Sequence, residues 1–233
     1  MRSLLIAAMV FSMSLTSFAG DWSARVAPYG WGAGIDGSVE VGGTTVDFER
    51  SFEDILEDLE WGFFLSLEAN NDDWMVILDG AWIELGGSGN IGQNVTTSDV
   101  DETIYTGAIG KKLGGTGFYT FVGARHIDID VKVALNGEVV PTINQNESLV
   151  DPVIGVRGQT AFGDRLGLNW TANIGGFGTG SDFAWEATAV LDAKIAGPVS
   201  ALLGYRILDM DFAEDITADI AMHGWLLGLS ASF

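Results

Sequence analysis

The sequence predicts an all-β fold, a transmembrane antiparallel up-and-down β-barrel of about ten strands, on three observations. Apolar and polar residues alternate with period two through most of the chain after residue 20, the pattern of strands with one apolar face. Mean hydropathy is +0.26 although 18% of the residues are charged, yet beyond the N-terminus no apolar run approaches the roughly 20 residues of a spanning helix. Strands must therefore carry the apolar surface. Trp22, Trp61, Trp74, Trp82, Trp170, Trp185 and Trp225 fall at strand ends, where an amphipathic ring meets headgroups, and the face between them is Leu, Val and Ala.

Residues 1–19 read as a cleaved export signal, with Arg2, an apolar stretch over 4–11 and the closing Ser17-Phe18-Ala19. The exported chain, 20–233, is one barrel domain. It carries −22, because the formal −21 of the whole sequence loses Arg2.

Strands follow at 22–35, 60–70, 74–84, 99–112, 117–131, 149–161, 165–175, 182–194, 198–211 and 218–233. Ten is even and leaves both termini on the periplasmic side. Short links at 70–73, 114–117, 162–164 and 196–197 alternate with long ones at 36–60, 85–98, 132–148, 176–181 and 212–217, as periplasmic turns and external loops do. A second hairpin signal around Gly42-Gly43, within 38–48, keeps eight and twelve strands open as alternatives.

The first external loop holds the one helical stretch, a short amphipathic helix over 51–59. Phe52, Ile55, Leu56 and Leu59 recur at helical spacing, and Ser51 with Asp54 can form a capping box. Its four acidic residues oppose lying on an anionic surface, so its apolar face is expected against the barrel mouth, as a lid or plug, or else packed within the loop.

Charge is one-sided. External loops and rims hold 22 acidic residues against Arg50 and Lys132, whereas the periplasmic ends, Arg25 among them, come to +1. The strand interiors place Glu68, Asp79, Glu186 and Asp192 against Arg125, Arg157 and Arg206, a net of −1. Near balance suits a lumen filled by paired side chains better than a charged pore, since an unpaired charge in a low dielectric costs several kcal/mol. Arg125, Arg157 and Arg206 are expected to point inward and pair with Glu68, Asp79 or Glu186. The acidity makes nucleic acid an improbable partner. With no cysteine there is neither a disulfide frame nor a thiolate metal site.

Gly123-Ala124-Arg125-His126-Ile127-Asp128-Ile129-Asp130 and Gly204-Tyr205-Arg206-Ile207-Leu208-Asp209-Met210-Asp211 share one pattern, Gly-x-Arg-x-aliphatic-Asp-x-Asp. Glycine and arginine take the luminal face, and the aspartates emerge on the other face just above the hydrocarbon. Two readings of Asp128, Asp130, Asp209 and Asp211 stay open: chelation of Ca²⁺ or Mg²⁺ bridging to lipopolysaccharide, or a solvated strand end. Beyond such bridging, no cofactor and no certain metal site is expected. Residues 175–182, Gly-Gly-Phe-Gly-Thr-Gly-Ser-Asp, look like a phosphate-cradling loop, but no helix follows, and a tight turn with positive φ explains them better. His126 and His223 share the lipid-facing parity, and no serine stands beside either at a useful spacing, so no catalytic residue is expected.

Trp225, Leu227, Leu229, Ala231 and Phe233 alternate with glycine and serine in the last strand. A terminal Phe233 on such a strand resembles the assembly signal of bacterial outer-membrane barrels. The partners this implies are the barrel-assembly machinery, periplasmic chaperones, outer-membrane lipid and lipopolysaccharide.

The runs 151–157, 174–183 and 204–209, with Pro28-Tyr29-Gly30-Trp31 and 51–56, resemble a widespread family of uncharacterised Gram-negative outer-membrane β-barrel proteins, small barrels of the outer-membrane protein A/W type. The resemblance covers nearly the whole exported chain. It implies the fold and an outer-membrane location, and carries no activity. Where similar proteins have an aromatic beside the arginine of the first repeat, this chain has Ala124 and His126. The function expected is structural, an envelope-integrity barrel with a salt-bridged lumen and an acidic, cation-binding rim. A narrow passive channel for small solutes is the alternative, and a lipid-modifying enzyme the third. Oligomeric state is not legible in the sequence.

Overall fold

The computed structural model describes residues 22–41, 43–91, 94–135, 138–139, 145–212 and 217–233. The export signal expected at 1–19 lies outside the described residues. The elements, in order, are β1 (Ser23–Val41), β2 (Thr44–Arg50), α1 (Phe52–Asp58), β3 (Leu59–Asn70), β4 (Trp74–Ile91), β5 (Asn94–Lys112), β6 (Phe118–Leu135), β7 (Glu138–Val139), β8 (Gln145–Phe162), β9 (Leu166–Gly176), β10 (Phe183–Ala196), β11 (Val199–Phe212) and β12 (Ala218–Ser232).

Ten of these strands, all but β2 and β7, pair antiparallel with their neighbours, and β12 pairs back onto β1 to close the ring. Closure leaves no free edge along the seam, which a sheet in lipid requires because hydrocarbon offers nothing to an unpaired peptide group. The terminal residue completes it: Ala24 N donates to Phe233 O at 3.0 Å and Phe233 N to Ala24 O at 2.8 Å. The start of β1, Phe233 and the four short turns share one end.

Three expectations about the external side change. The stretches expected as loops at 85–98 and 132–148 are largely strand, since β4 pairs with β5 from Trp74 up to Ile91 and β6 runs on to Leu135. Antiparallel pairing simply continues past the membrane, where water accepts both faces. The hairpin at 38–48 forms, but β2 pairs only with β1 and stands outside the ring, so the wall keeps ten strands.

The third change concerns α1. Its capping box is present: Asp54 N donates to Ser51 Oγ at 3.2 Å, and Ser51 N to Asp54 Oδ2 at 2.9 Å. The Ser51 hydroxyl, donating to Asp54 Oδ2 at 2.7 Å, and then the Ser51 N–H hold the Asp54 carboxyl below the usual carboxylate range. The helix, however, is not a plug in the mouth. The Phe52 ring packs over Gly32 on the outward face of β1, Leu59 reaches Gly62, and no residue of α1 is buried. β1 pairs with β3 only up to Tyr29, and α1 falls into the break above.

The lumen is packed in layers. Toward the external side, Trp31, Phe64, Ile104, Ile127, Leu208, Met210, Met222 and Leu226 form one apolar core of buried residues. Nearer the termini, Met75, Ala108, Tyr119, Phe121 and Val153 form a second. The other strand parity faces outward: Leu203, Trp225, Leu227 and Leu229 are 45–63% exposed, an apolar belt that water would not tolerate and hydrocarbon covers.

Candidate functional site

Between the two apolar clusters the luminal face carries charge. Alternation aims Arg25, Arg125, Arg157 and Arg206 inward from β1, β6, β8 and β11. Arg125 is fully buried and pairs with Glu186 on β10, with Asn173 Oδ1 accepting from its Nη2 at 2.9 Å. Arg157 crosses to Glu68 on β3 and donates to Thr171 Oγ1 at 2.8 Å. Arg206 lies 3.3 Å from Asp79 on β4 and 2.9 Å from Glu186. Tyr29 Oη donates to Asp79 at 3.0 Å. The six residues expected to pair across the lumen thus meet in two networks, Arg125 and Arg206 sharing Glu186 with Asp79 on Arg206, and Arg157 holding Glu68.

Arg25, expected with the periplasmic ends, instead shares luminal parity with Ala27 and Tyr29, and its long side chain reaches Asp192 on β10 at 2.7 Å. A cavity of about 130 Å³ runs through this layer, lined by Arg25, Tyr29, Asp79, Arg157, Glu186 and Arg206 among others. That is room for several waters, which suits Arg25 Nε and Arg157 Nε, both of cavity-lining residues and each buried with no protein acceptor.

The glycine-rich segment is a turn. Gly176, Phe177 and Gly178 all take positive φ, at 86°, 55° and 73°. It is tied down by the fully buried Asp151, which accepts from Ser181 N and Ser181 Oγ, both at 2.7 Å. Nothing in the local sequence joins Asp151 to Ser181, since β8 and the β9–β10 turn meet only in the sheet.

On the outer face the rim aspartates separate. Asp130 pairs with Lys132 at 3.1 Å. Asp209 and Asp211 instead gather with Asp219 of β12, ligand oxygens all within 4.8 Å. Burial, then the neighbouring carboxylates, Asp219 first, raise both Asp209 and Asp211 above the usual range. Oxygens so spaced suit a hard divalent cation. Asp128 joins neither group.

The two histidines part company. His126 stands edge-on to Tyr105, which accepts from Trp82 Nε1 at 2.8 Å, part of an aromatic girdle that includes Phe63 and Trp61. His223 is bracketed: Tyr205 Oη lies 3.0 Å from its Nδ1 and Asp36 Oδ1 3.0 Å from its Nε2. The fitting tautomer carries its proton on Nε2, directed at Asp36, and accepts the phenol. Sequence reasoning looked for serine along a single strand and missed this group, which draws on β1, β11 and β12.

No protein-family profile matches the chain, and no characterised protein matches it in sequence. Solved structures do. The outer membrane protease OmpT of Escherichia coli aligns with a TM-score of 0.54 at 10% identity, covering 95% of this chain and 99% of that one. The transport unit of the autotransporter AIDA-I of Escherichia coli gives 0.44 at 11%, over 100% and 97%. Ail, the attachment invasion locus protein of Yersinia pestis, gives 0.37 at 15%, over 91% and 99%. The OmpT likeness bears on fold alone. Taken with the closed ring and the apolar belt, it gives this chain the fold of the Gram-negative outer-membrane β-barrels.

Proposed function

We propose that the protein is a structural component of the outer membrane, a barrel that contributes to envelope integrity and whose lumen is sealed. The observation that supports this is the set of ion pairs joining strands that are not neighbours in the ring: Arg25–Asp192, Arg125–Glu186, Arg157–Glu68 and Arg206–Asp79. Pairs of that kind span the lumen, and the apolar core around Trp31 and Leu208 lies above them. A conducting pore would need these side chains against the wall, with a hydrated path between.

The rim complements that role. Asp209, Asp211 and Asp219 would bind Ca²⁺ or Mg²⁺ and so bridge to lipopolysaccharide phosphates, which carry the same sign as the rim. Planar-bilayer recording of the purified protein tests the sealed lumen. Silent bilayers at high incorporation are expected, and reproducible unitary steps would replace this reading with that of a narrow channel. Turnover of labelled phospholipid or lipid A by the wild-type protein would replace it with an enzyme.

A further inference from the structure

Strand β2 has an open edge. One side of it pairs with 35–41 of β1, and among the described residues no strand pairs with the other. Every residue of β2 is exposed. The register lifts it clear of the hydrocarbon: about 9–11 residues of a strand cross the bilayer, and counted from the end of β12 they stop near Met222, the partner of Ile35. Ile35 with Arg50 is the lowest β1–β2 pair.

The ladder fixes which peptide groups lie open. Glu40 N donates to Thr217 O on the β12 side at 2.8 Å, so Val39 and Val41, its neighbours, turn their peptide groups to β2. Their partners there are Val46 and Thr44. Bonding residues alternate along an antiparallel pair, so Thr44, Val46, Phe48 and Arg50 bond β1, while Thr45, Asp47 and Glu49 turn N–H and C=O away from it. Such a row is a template for a further strand. Of the devices that blunt an edge, proline and a bulge are absent from β2, and the charges beside its open groups, Asp47 and Glu49, are both acidic.

The side chains define the strand that fits. Val46 and Phe48, 50% and 37% exposed, share one face. Asp47 and Glu49 share the other, where Asp36 and Asp219 line the same hollow. A second copy of the chain does not fit. Copies in one membrane are related by an axis along its normal, so strands tilted about 35–45° would meet in parallel sense at about 70–90°, against about 20–25° between neighbours in a sheet. A copy in a facing membrane, with the full strand paired, would set Asp47 against Asp47, and like charges directly opposite destabilise.

We propose that the β2 edge is a docking site for an extended peptide segment of a partner, added as a further strand, in which apolar residues alternate with lysine or arginine. Its apolar face covers Val46 and Phe48, its cations meet Asp47 and Glu49, and its backbone bonds Thr45, Asp47 and Glu49. The same two carboxylates turn away an acidic strand, so they select as well as attract. The site is independent of whether the lumen conducts.

The probe is fluorescently labelled acetyl-Thr-Lys-Val-Lys-Val-Lys-Thr-amide, titrated by anisotropy onto the protein in nanodiscs of phosphatidylcholine, a lipid without net charge. Antiparallel to 44–50, it sets its first two lysines against Glu49 and Asp47 and its valines against Phe48 and Val46. Saturable binding is expected, and Asp47→Lys combined with Glu49→Lys should weaken it by at least about tenfold. N-methylation of the lysine amides, whose N–H groups face the edge, should abolish binding, whereas N-methylation of the valine amides, which face away, should leave it within about twofold. The methylated peptides are read on the unaltered protein, so the test stands even if the charge-reversed variant fails to insert. Equal binding of the two methylated peptides, binding that survives charge reversal, or no saturable binding would each overturn the proposal.

Discussion

Arg206 lies over the Trp31 indole, its guanidinium carbon 4.8 Å from the ring centroid, while its nitrogens face Asp79 and Glu186. One buried cation thus joins the apolar core above to the ion-pair layer below. Arg206→Ala is expected to cost about 3 kcal/mol, the low end of the range for breaking a buried pair, because Arg125 still holds Glu186 and Tyr29 still holds Asp79. The urea midpoint of unfolding in detergent should fall without a conductance appearing. A new conductance with an unchanged midpoint would mean that water already fills the lumen.

Asp151 has a different kind of partner, one turn of backbone. Asp151→Ala leaves Ser181 N and Oγ without their acceptor, at about 1–3 kcal/mol for buried donors left unsatisfied. The turn after β9 should then open, seen as faster protease cleavage at 177–182 with the barrel itself intact.

For Asp209 and Asp211 the pKa is raised in the folded state. A carboxyl so shifted binds its proton more tightly folded than unfolded, so its stabilising contribution is complete below the unfolded value and is lost as pH rises through the raised one. At neutral pH the cluster opposes folding. Asp219→Asn should accordingly raise the unfolding midpoint at pH 7, and the gain should vanish below about pH 4, where ordinary carboxylates are protonated. Millimolar Ca²⁺ should reproduce the gain in the wild type. A midpoint insensitive to both would rule out strain at this rim.

Phe233 closes the seam through two backbone bonds to Ala24. Deleting it should lower the yield of heat-modifiable, membrane-inserted protein more than deleting 87–94, which trims a hairpin tip beyond the ring. Equal yields would show that the terminal residue is dispensable for assembly.

The Asp36–His223–Tyr205 group is half exposed, and interactions there are worth about 0–1 kcal/mol. His223→Phe should therefore leave the midpoint nearly unchanged, and a larger loss would show that the group locks the β1–β12 seam.

What the sequence alone determined is which face each side chain takes. Period two assigns Arg125, Arg157 and Arg206 to the lumen and Trp225, Leu227 and Leu229 to lipid, because successive Cβ atoms point to opposite sides of a strand. Ser51 with Asp54 marks the start of α1 for an equally local reason, since the capping bonds span three residues, and the run of glycines marks the turn at 176–178. Tertiary structure alone decided who meets whom. Which acid each arginine finds, the inward reach of Arg25 to Asp192, the capture of Ser181 by Asp151 and the bracketing of His223 all depend on register between strands and on where the sheet closes. Alternation says nothing about either quantity. The place of α1 depends on them too: its apolar spacing showed that it needed a partner, and only the break between β1 and β3 made that partner the outer wall.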